Sequence, residues 1–275
     1  MKIQSALAAS LLVSTSALAQ IAPNLGTTAP FGVVSSTFTN SNTAPQTIIN
    51  GQVCFTTGPV TPPLTQGTVT TPCPPSTGVD QAAATATLLG QPCTFLGAGA
   101  IALNAVIIGA NPPGTIPPGC YTNGGAMNVT ANTTVILNGP GIYIFRPGGA
   151  LDTGANSLVT LAGGACASDV YWAPVGATTL GANAALSPTP TFVGNILDAA
   201  GITIGHFANL TGRALAFGNT VTTDAVTITV PSCLSAVAGA NGIPTLSEWA
   251  MVLLALLLAV SAYAMRRRQQ WRASR

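Results

Sequence analysis

The apolar positions follow three patterns along the chain. Met1 to Ala19 opens with Lys2, runs apolar from Ala6 to Leu18 and closes on Ala17-Leu18-Ala19. This is the layout of a secretory leader: a positive start, an apolar run too short to span a bilayer, and a small-x-small cleavage site. Cleavage is expected after Ala19. Leu246 to Met265 is a longer apolar stretch whose only charge is Glu248. At about 1.5 Å per residue it matches the thickness of a bilayer core, so a transmembrane helix is expected over 246–265. Arg266, Arg267 and Arg268 follow it, with Arg272 and Arg275 beyond. Such a basic end, 266–275, stays in the cytoplasm and leaves the rest of the chain on the outer side.

Residues 20–242 show a third pattern, of short β-branched runs broken by proline, glycine and asparagine. Phe31 to Phe38, Thr47 to Phe55 and Gly67 to Thr71 read as strands, and the prolines from Pro59 to Pro75 mark loops and edges. One helix is expected, with Thr77 as its cap, Asp80 three positions on, an Ala- and Leu-rich stretch from Gln81 to Leu89, and Gly90 as its stop.

From Tyr121 onward similar units recur. Thr130-Ala131-Asn132-Thr133, Thr153-Gly154-Ala155-Asn156, Leu180-Gly181-Ala182-Asn183 and His206-Phe207-Ala208-Asn209 end them, at steps of 23, 27 and 26 residues. A repeat of this period signals stacked coils, with apolar residues inside and glycine or asparagine at tight corners. The competing arrangement is a β-sandwich, which also uses short, evenly spaced strands.

Charge sharpens the picture. The net charge is +2, but six of the eight basic residues are Lys2 and the five tail arginines. Residues 20–242 hold only Arg146 and Arg213 against five aspartates, which excludes a nucleic-acid footprint. Low charge with high β-branched content argues against disorder. Stacked coils would place like residues about 4.8 Å apart, which disfavours charge columns. The six cysteines, Cys54, Cys73, Cys93, Cys120, Cys166 and Cys233, are even in number in an exported chain and favour disulfides over a metal site. Pairing neighbours in order gives Cys54–Cys73, Cys93–Cys120 and Cys166–Cys233, one of fifteen possibilities.

The body resembles the microbial ice-binding proteins of the domain-of-unknown-function 3494 type. The resemblance rests on Leu25 to Phe31, Asn50-Gly51, Pro118-Gly119-Cys120-Tyr121, Gly141 to Phe145, Val170-Tyr171-Trp172, Thr191 to Gly194 and Leu210 to Leu215, in that order. It implies a mainly β fold, a discontinuous right-handed β-solenoid with one α-helix packed alongside, built as a first coil, then the helix, then the remaining coils. It also implies a flat face of Thr-(Ala/Gly)-x-(Thr/Asn) repeats. Candidate surface-binding residues are then Thr130, Asn132, Thr133, Thr153, Asn156, Asn183 and Asn209. Two features depart from the family: a short helix with a thin apolar stripe, and the Leu186 to Pro190 insertion. The tail, 243–275, resembles an IPTL-type C-terminal sorting signal. Ile243, Pro244, Thr245, Leu246 and Trp249 carry the motif within 243–249, ahead of the span and the arginines. That implies handling by an exosortase-like membrane enzyme.

Enzyme chemistry finds little support. His206 is the only histidine, the aspartates are scattered, and no phosphate-cradling loop is present. No cofactor and no metal are expected. The reading is an exported, envelope-anchored protein of a Gram-negative-type bacterium that adsorbs to ice or another extended surface. The alternative is a structural or adhesive envelope or matrix protein without ice activity.

Overall fold

A computed structural model describes residues 20–41, 44–185 and 190–233, together with Ala255 and Leu258. The expected leader and the sorting motif lie outside the described residues, as do the 246–265 span apart from Ala255 and Leu258 and the expected insertion apart from Pro190. Among those described, no helix is long and apolar enough to cross a membrane.

Short strands stack in parallel in three columns. In the first, Val69–Thr70 pairs with Gln52–Cys54, then come Phe31–Asn40, Asn209–Thr223, Phe192–Leu197, Val170–Trp172, Tyr143–Pro147, Gly119–Asn123 and Thr94–Phe95. The second runs from the far halves of Phe31–Asn40 and Asn209–Thr223 through Ile202–Ile204, Thr178–Leu180, Leu151–Thr153 and Met127–Val129 to Ile101–Ala102. The third contains Leu64–Thr65, Ile48–Asn50, Thr227–Thr229 and the start of Asn209–Thr223. Thr191 bridges it onward, with Val159 N donating to Thr191 O and Thr191 N to Asn209 O, both at 2.9 Å. Leu158–Ala162, Thr134–Asn138 and Thr115–Ile116 complete that column.

The stacking order is discontinuous in sequence. The strand Phe31–Asn40 sits between the late strand Asn209–Thr223 and the early strand Gln52–Cys54. From there the early coils stack one way, and the coils from residue 94 onward stack back toward the same seam. The closing strand Thr227–Thr229 lies between Asn209–Thr223 and Ile48–Asn50.

Strand alternation divides each column into an inner and an outer set. Inside the first column, Val53, Val33, Ala214, Ile196, Trp172, Phe145 and Tyr121 are in register and buried. Tyr121, Phe145, Trp172 and Phe192 form a ring stack with successive centroid distances of 5.6, 4.1 and 5.0 Å. The Trp172 indole N–H also donates to Val193 O at 2.9 Å. Tyr121 and Tyr143 each donate a hydroxyl proton to the carbonyl four residues earlier, both at 2.7 Å. Burial pushes the Tyr121 phenol up to about 12.

The outer set of the first column is covered by the helix Pro75–Leu89. Val34, Cys54, Cys120, Ile144, Tyr171, Leu197 and Leu215 pack with Ala84 and Leu88 in a second apolar cluster. The helix begins two residues before the expected Thr77. Pro74 is the N-cap and Pro75 opens the helix, where a missing N–H costs nothing. Asp80 does not reach back to cap the helix. Its carboxylate accepts from Thr27 N and Thr27 Oγ1, both at 2.7 Å.

All three disulfides join the expected partners. Cys54 and Cys120 point outward from the first column, so Cys54–Cys73 and Cys93–Cys120 fasten the column just before and just after the helix. Cys166–Cys233 fastens residue 233, beyond the closing strand.

Two outcomes are expected. Trp172→Ala removes the centre of the ring stack and lowers unfolding stability by about 3–5 kcal/mol, read by urea denaturation. The Thr27 hydrogen bonds hold the Asp80 carboxyl below its ordinary value. A depressed folded pKa gives stability that is full above the unfolded value and fades as pH falls through the folded one, here below about pH 4. Asp80→Asn should therefore flatten the acid limb of a melting-temperature profile.

Candidate surface-binding face

The helix covers the outside of the first column, and the second column, which it leaves uncovered, carries a regular outward row. Its strands alternate between the core and the surface. Met127, Val129, Leu151, Leu180, Ile202, Ile204, Val221 and Phe38 point inward and are buried. Between them Asn128, Asp152, Thr179, Thr203, Thr222 and Thr39 stand in register on the outside. Four consecutive coils therefore present threonine, and Thr39 Oγ1 donates to Thr222 Oγ1 at 2.8 Å.

Small residues flank this row. On one side lie Ala126, Ala150, Ala177 and Gly201, tied coil to coil by Met127 N to Ala150 O, Leu151 N to Ala177 O and Thr178 N to Gly201 O. The same row continues into Thr220 and its register partner Thr37. On the other side lie Thr130, Gly154, Gly181 and Gly205. A Cβ at any of these three glycines would press on the backbone of the preceding coil, so these three positions favour glycine.

Buried Asp198 braces the entry to the face. It accepts from Thr178 Oγ1 at 2.6 Å and from Ala200 N and Gly201 N at 2.7 and 3.2 Å. Burial raises its carboxyl above the ordinary value, and these hydrogen bonds oppose the rise. Beyond the glycine edge the chain turns a corner. Asn132, Asn156, Phe207 and Ala225 take left-handed φ angles of 58°, 55°, 59° and 52°. Asn156 Nδ2 donates to Asn132 Oδ1 at 3.4 Å, and Asn156 Oδ1 accepts from Ala184 N at 2.8 Å. His206 Nδ1 lies 3.2 Å from Asp224 Oδ2 at the same corner.

The candidate residues divide accordingly. Asn132, Asn156 and Asn183 are brought together by Asn132 N to Ala155 O, Asn156 N to Ala182 O and Asn183 N to His206 O. Asn209 is not with them. Phe207 N donates to Asp224 O, so Phe207 is next in the column and the steps are 24, 27 and 24. Asn209 lies two residues further on, buried, with its Oδ1 accepting from Thr227 N at 3.1 Å. Thr130 is exposed at the edge of the face. The Thr133 hydroxyl turns back to Thr130 O at 2.6 Å. Thr153 is in register with buried Val129, and its hydroxyl accepts from Gly181 N at 2.9 Å, so its neighbour Asp152 takes the outward position.

The outward threonines Thr39, Thr179, Thr203 and Thr222 are absent from the expected set. Their signal was the repeated alternation in Thr178-Thr179-Leu180, Ile202-Thr203-Ile204 and Val221-Thr222-Thr223. Among the described residues, no group of three His, Cys, Asp or Glu could hold a metal ion.

A family model described as Ice-binding-like matches residues 7–229, and an IPTL-CTERM motif model matches residues 241–268. An ice-binding protein of Flavobacterium frigoris is 34% identical over 117 residues, 42% of this chain and 40% of that protein. Ice-binding protein 1 of Shewanella frigidimarina is 35% identical over 121 residues, 42% of this chain and 13% of that protein. The chain thus matches well under half the length of both. An ice-binding protein from an Antarctic biological consortium superposes with a TM-score of 0.65 at 25% identity, over 78% of this chain and 93% of that one. The DUF3494 domain of the Shewanella frigidimarina protein gives 0.64 at 22% identity, over 78% and 100%.

The glycine edge is directly testable. Gly181→Ala should lower unfolding stability by about 1–3 kcal/mol through overpacking against the neighbouring coil. Gly99→Ala, where a Cβ meets nothing within 4 Å, should leave the melting temperature unchanged.

Proposed function

This chain belongs to the ice-binding-like family, and we propose that it is an exported protein that adsorbs to ice through the outer face of its second column. The observation that carries this reading is the uninterrupted row Thr39, Thr222, Thr203, Thr179. Threonine presents a methyl and a hydroxyl together. Coils repeat about every 4.8 Å, and same-side residues along a strand about every 6.6–7 Å. A rigid grid at these spacings can order surface water and merge with a crystal face, and its stiffness leaves little side-chain entropy to lose on contact. Thr37 and Thr220 widen the grid at one end, and Thr130, Asn132, Asn156 and Asn183 border it.

The tail supports a surface location. Ile243, Pro244, Thr245, Leu246 and Trp249 lie in the matched IPTL-CTERM segment, and 246–265 is apolar enough to span. The function therefore includes leader removal near Ala19, membrane insertion of the tail and handling by an exosortase-like enzyme. A second reading, a structural or adhesive envelope protein, draws on Asp152. Its charge interrupts the outward row, and Asn128 follows it. That half of the face suits hydrated polymer better than ice.

The test uses purified residues 20–242. Thermal hysteresis and inhibition of ice recrystallisation are expected, and Thr203→Tyr with Thr222→Tyr should abolish both while the melting temperature holds. Thr160→Tyr, on the third column, should leave activity intact. Ordinary ice growth at high concentration of the unaltered protein would sink the ice reading and leave the adhesive one.

A further inference from the structure

One end of the solenoid is built from residues 56–77. This stretch holds eight threonines, one serine and six prolines, with no charge. Its strands Leu64–Thr65 and Val69–Thr70 each pair on one side only among the described residues. An open strand edge is usually blunted by charge, proline or a covering element. Here the prolines do part of that work, but residues 20–79 contain no charged side chain. Val60, Leu64 and Val69 remain exposed beside the open edge.

Three hydroxyls stand among these apolar side chains. Thr56, Thr68 and Thr71 are exposed, and their side chains make no hydrogen bond among the described residues. Threonines inside the stack behave differently: Thr133, Thr178 and Thr223 each bond their hydroxyl within the fold. The backbone around the exposed three is nonetheless anchored. Thr56 N and Thr57 N donate to Ser36 O at 3.1 and 2.8 Å, and Thr68 O accepts from Val53 N at 3.0 Å. The result is a fixed, proline-rich, extended segment with outward hydroxyls. A Ser/Thr-rich segment with proline is the composition that carries O-linked sugars. A transferase needs such an exposed extended stretch, which the paired strands of the second column do not offer.

We propose that this end of the solenoid is an O-glycosylation site, with Thr56, Thr68 and Thr71 as acceptors. The donor is a nucleotide- or lipid-linked sugar. The side-chain oxygen forms a bond to the sugar C1 as the bond from C1 to the donor phosphate breaks. The hydroxyl proton passes to a base on the transferase, and the phosphate leaves with the bonding electrons. Sugars here cover Val60, Leu64 and Val69 and stop the open edge from pairing with another chain. They supply the hydration that charge supplies in other proteins.

The test is the intact mass of the exported protein purified from its own cells, with electron-transfer fragmentation to locate any excess. The expected result is an excess of whole sugar residues on some of the three positions, with labelling by a hydrazide dye after periodate oxidation. A mass equal to the processed, disulfide-bonded polypeptide overturns the proposal, as does sugar located only elsewhere. The variant with all three changed to alanine, made in the same cells, should lose both the excess and the label. If that variant fails to accumulate, fragmentation of the unaltered protein still decides the question.

Discussion

The structure depends on one seam, the parallel pairing of Phe31–Asn40 with Asn209–Thr223. It joins the start of the body to its last full coil, from Val33 opposite Ala214 to Asn40 opposite Thr223. Without it the early and late coils would be two short stacks, each with an open edge and a half-covered core. Other contacts converge there. Gln81 on the helix donates from Nε2 to Leu215 O and accepts from Phe217 N, both at 3.0 Å. Arg213, whose pKa burial lowers, donates to Ala29 O at 2.8 Å and to Asn195 Oδ1 at 2.7 Å. The Asp80–Thr27 contact ties the helix to the turn that precedes the first strand. A buried guanidinium is costly unless its donors are matched. Placed at the seam, it specifies the approach of the first strand.

The candidate face inherits this dependence. Two of its coils meet across the seam, and Thr37 and Thr39 reach the row only because Phe31–Asn40 docks beside Thr220 and Thr222. The helix acts in the same direction. By burying the outer side of the first column it leaves the second and third columns as the sides that can meet an extended surface. Disulfides on both sides of the helix hold that cover in place. Folding and the proposed activity therefore share one set of contacts, although no seam residue inside the core touches the surface.

Much of this was legible in the residues. The Gly and Asn punctuation marked the corners, the cysteine order gave the pairings, and the Ala-rich stretch before Gly90 gave the helix. Side-chain parity was not legible. In a strand of three residues a one-position error reverses the face, which is why Thr153 reads as outward when Asp152 holds that place. The last unit was misread because the left-handed corner is taken there by Phe207 and Ala225, neither of which signals a positive φ. Asn209, at a similar spacing, supplied a false match. Thr39 could not be found from the repeat at all, since it lies far upstream and joins the row only through the seam.

The scarcity of charge follows from the same geometry. Stacked coils bring register partners to about 4.8 Å, where two like charges repel by about 1 kcal/mol even in water and by more when partly buried. The charged residues that remain are placed so that no register partner repeats the sign. Asp152 stands between Asn128 and Thr179, Arg146 is opposite Thr122, and Arg213 is opposite Asn195 and, within hydrogen-bond reach, bonded to it. Neutral rows are thus a condition for stacking before they are a condition for binding. A surface that must be uncharged to pile its own coils is also one that water can lattice over without counterions. The step from scaffold to adsorbing face then requires only that the outward residue be threonine in several consecutive coils.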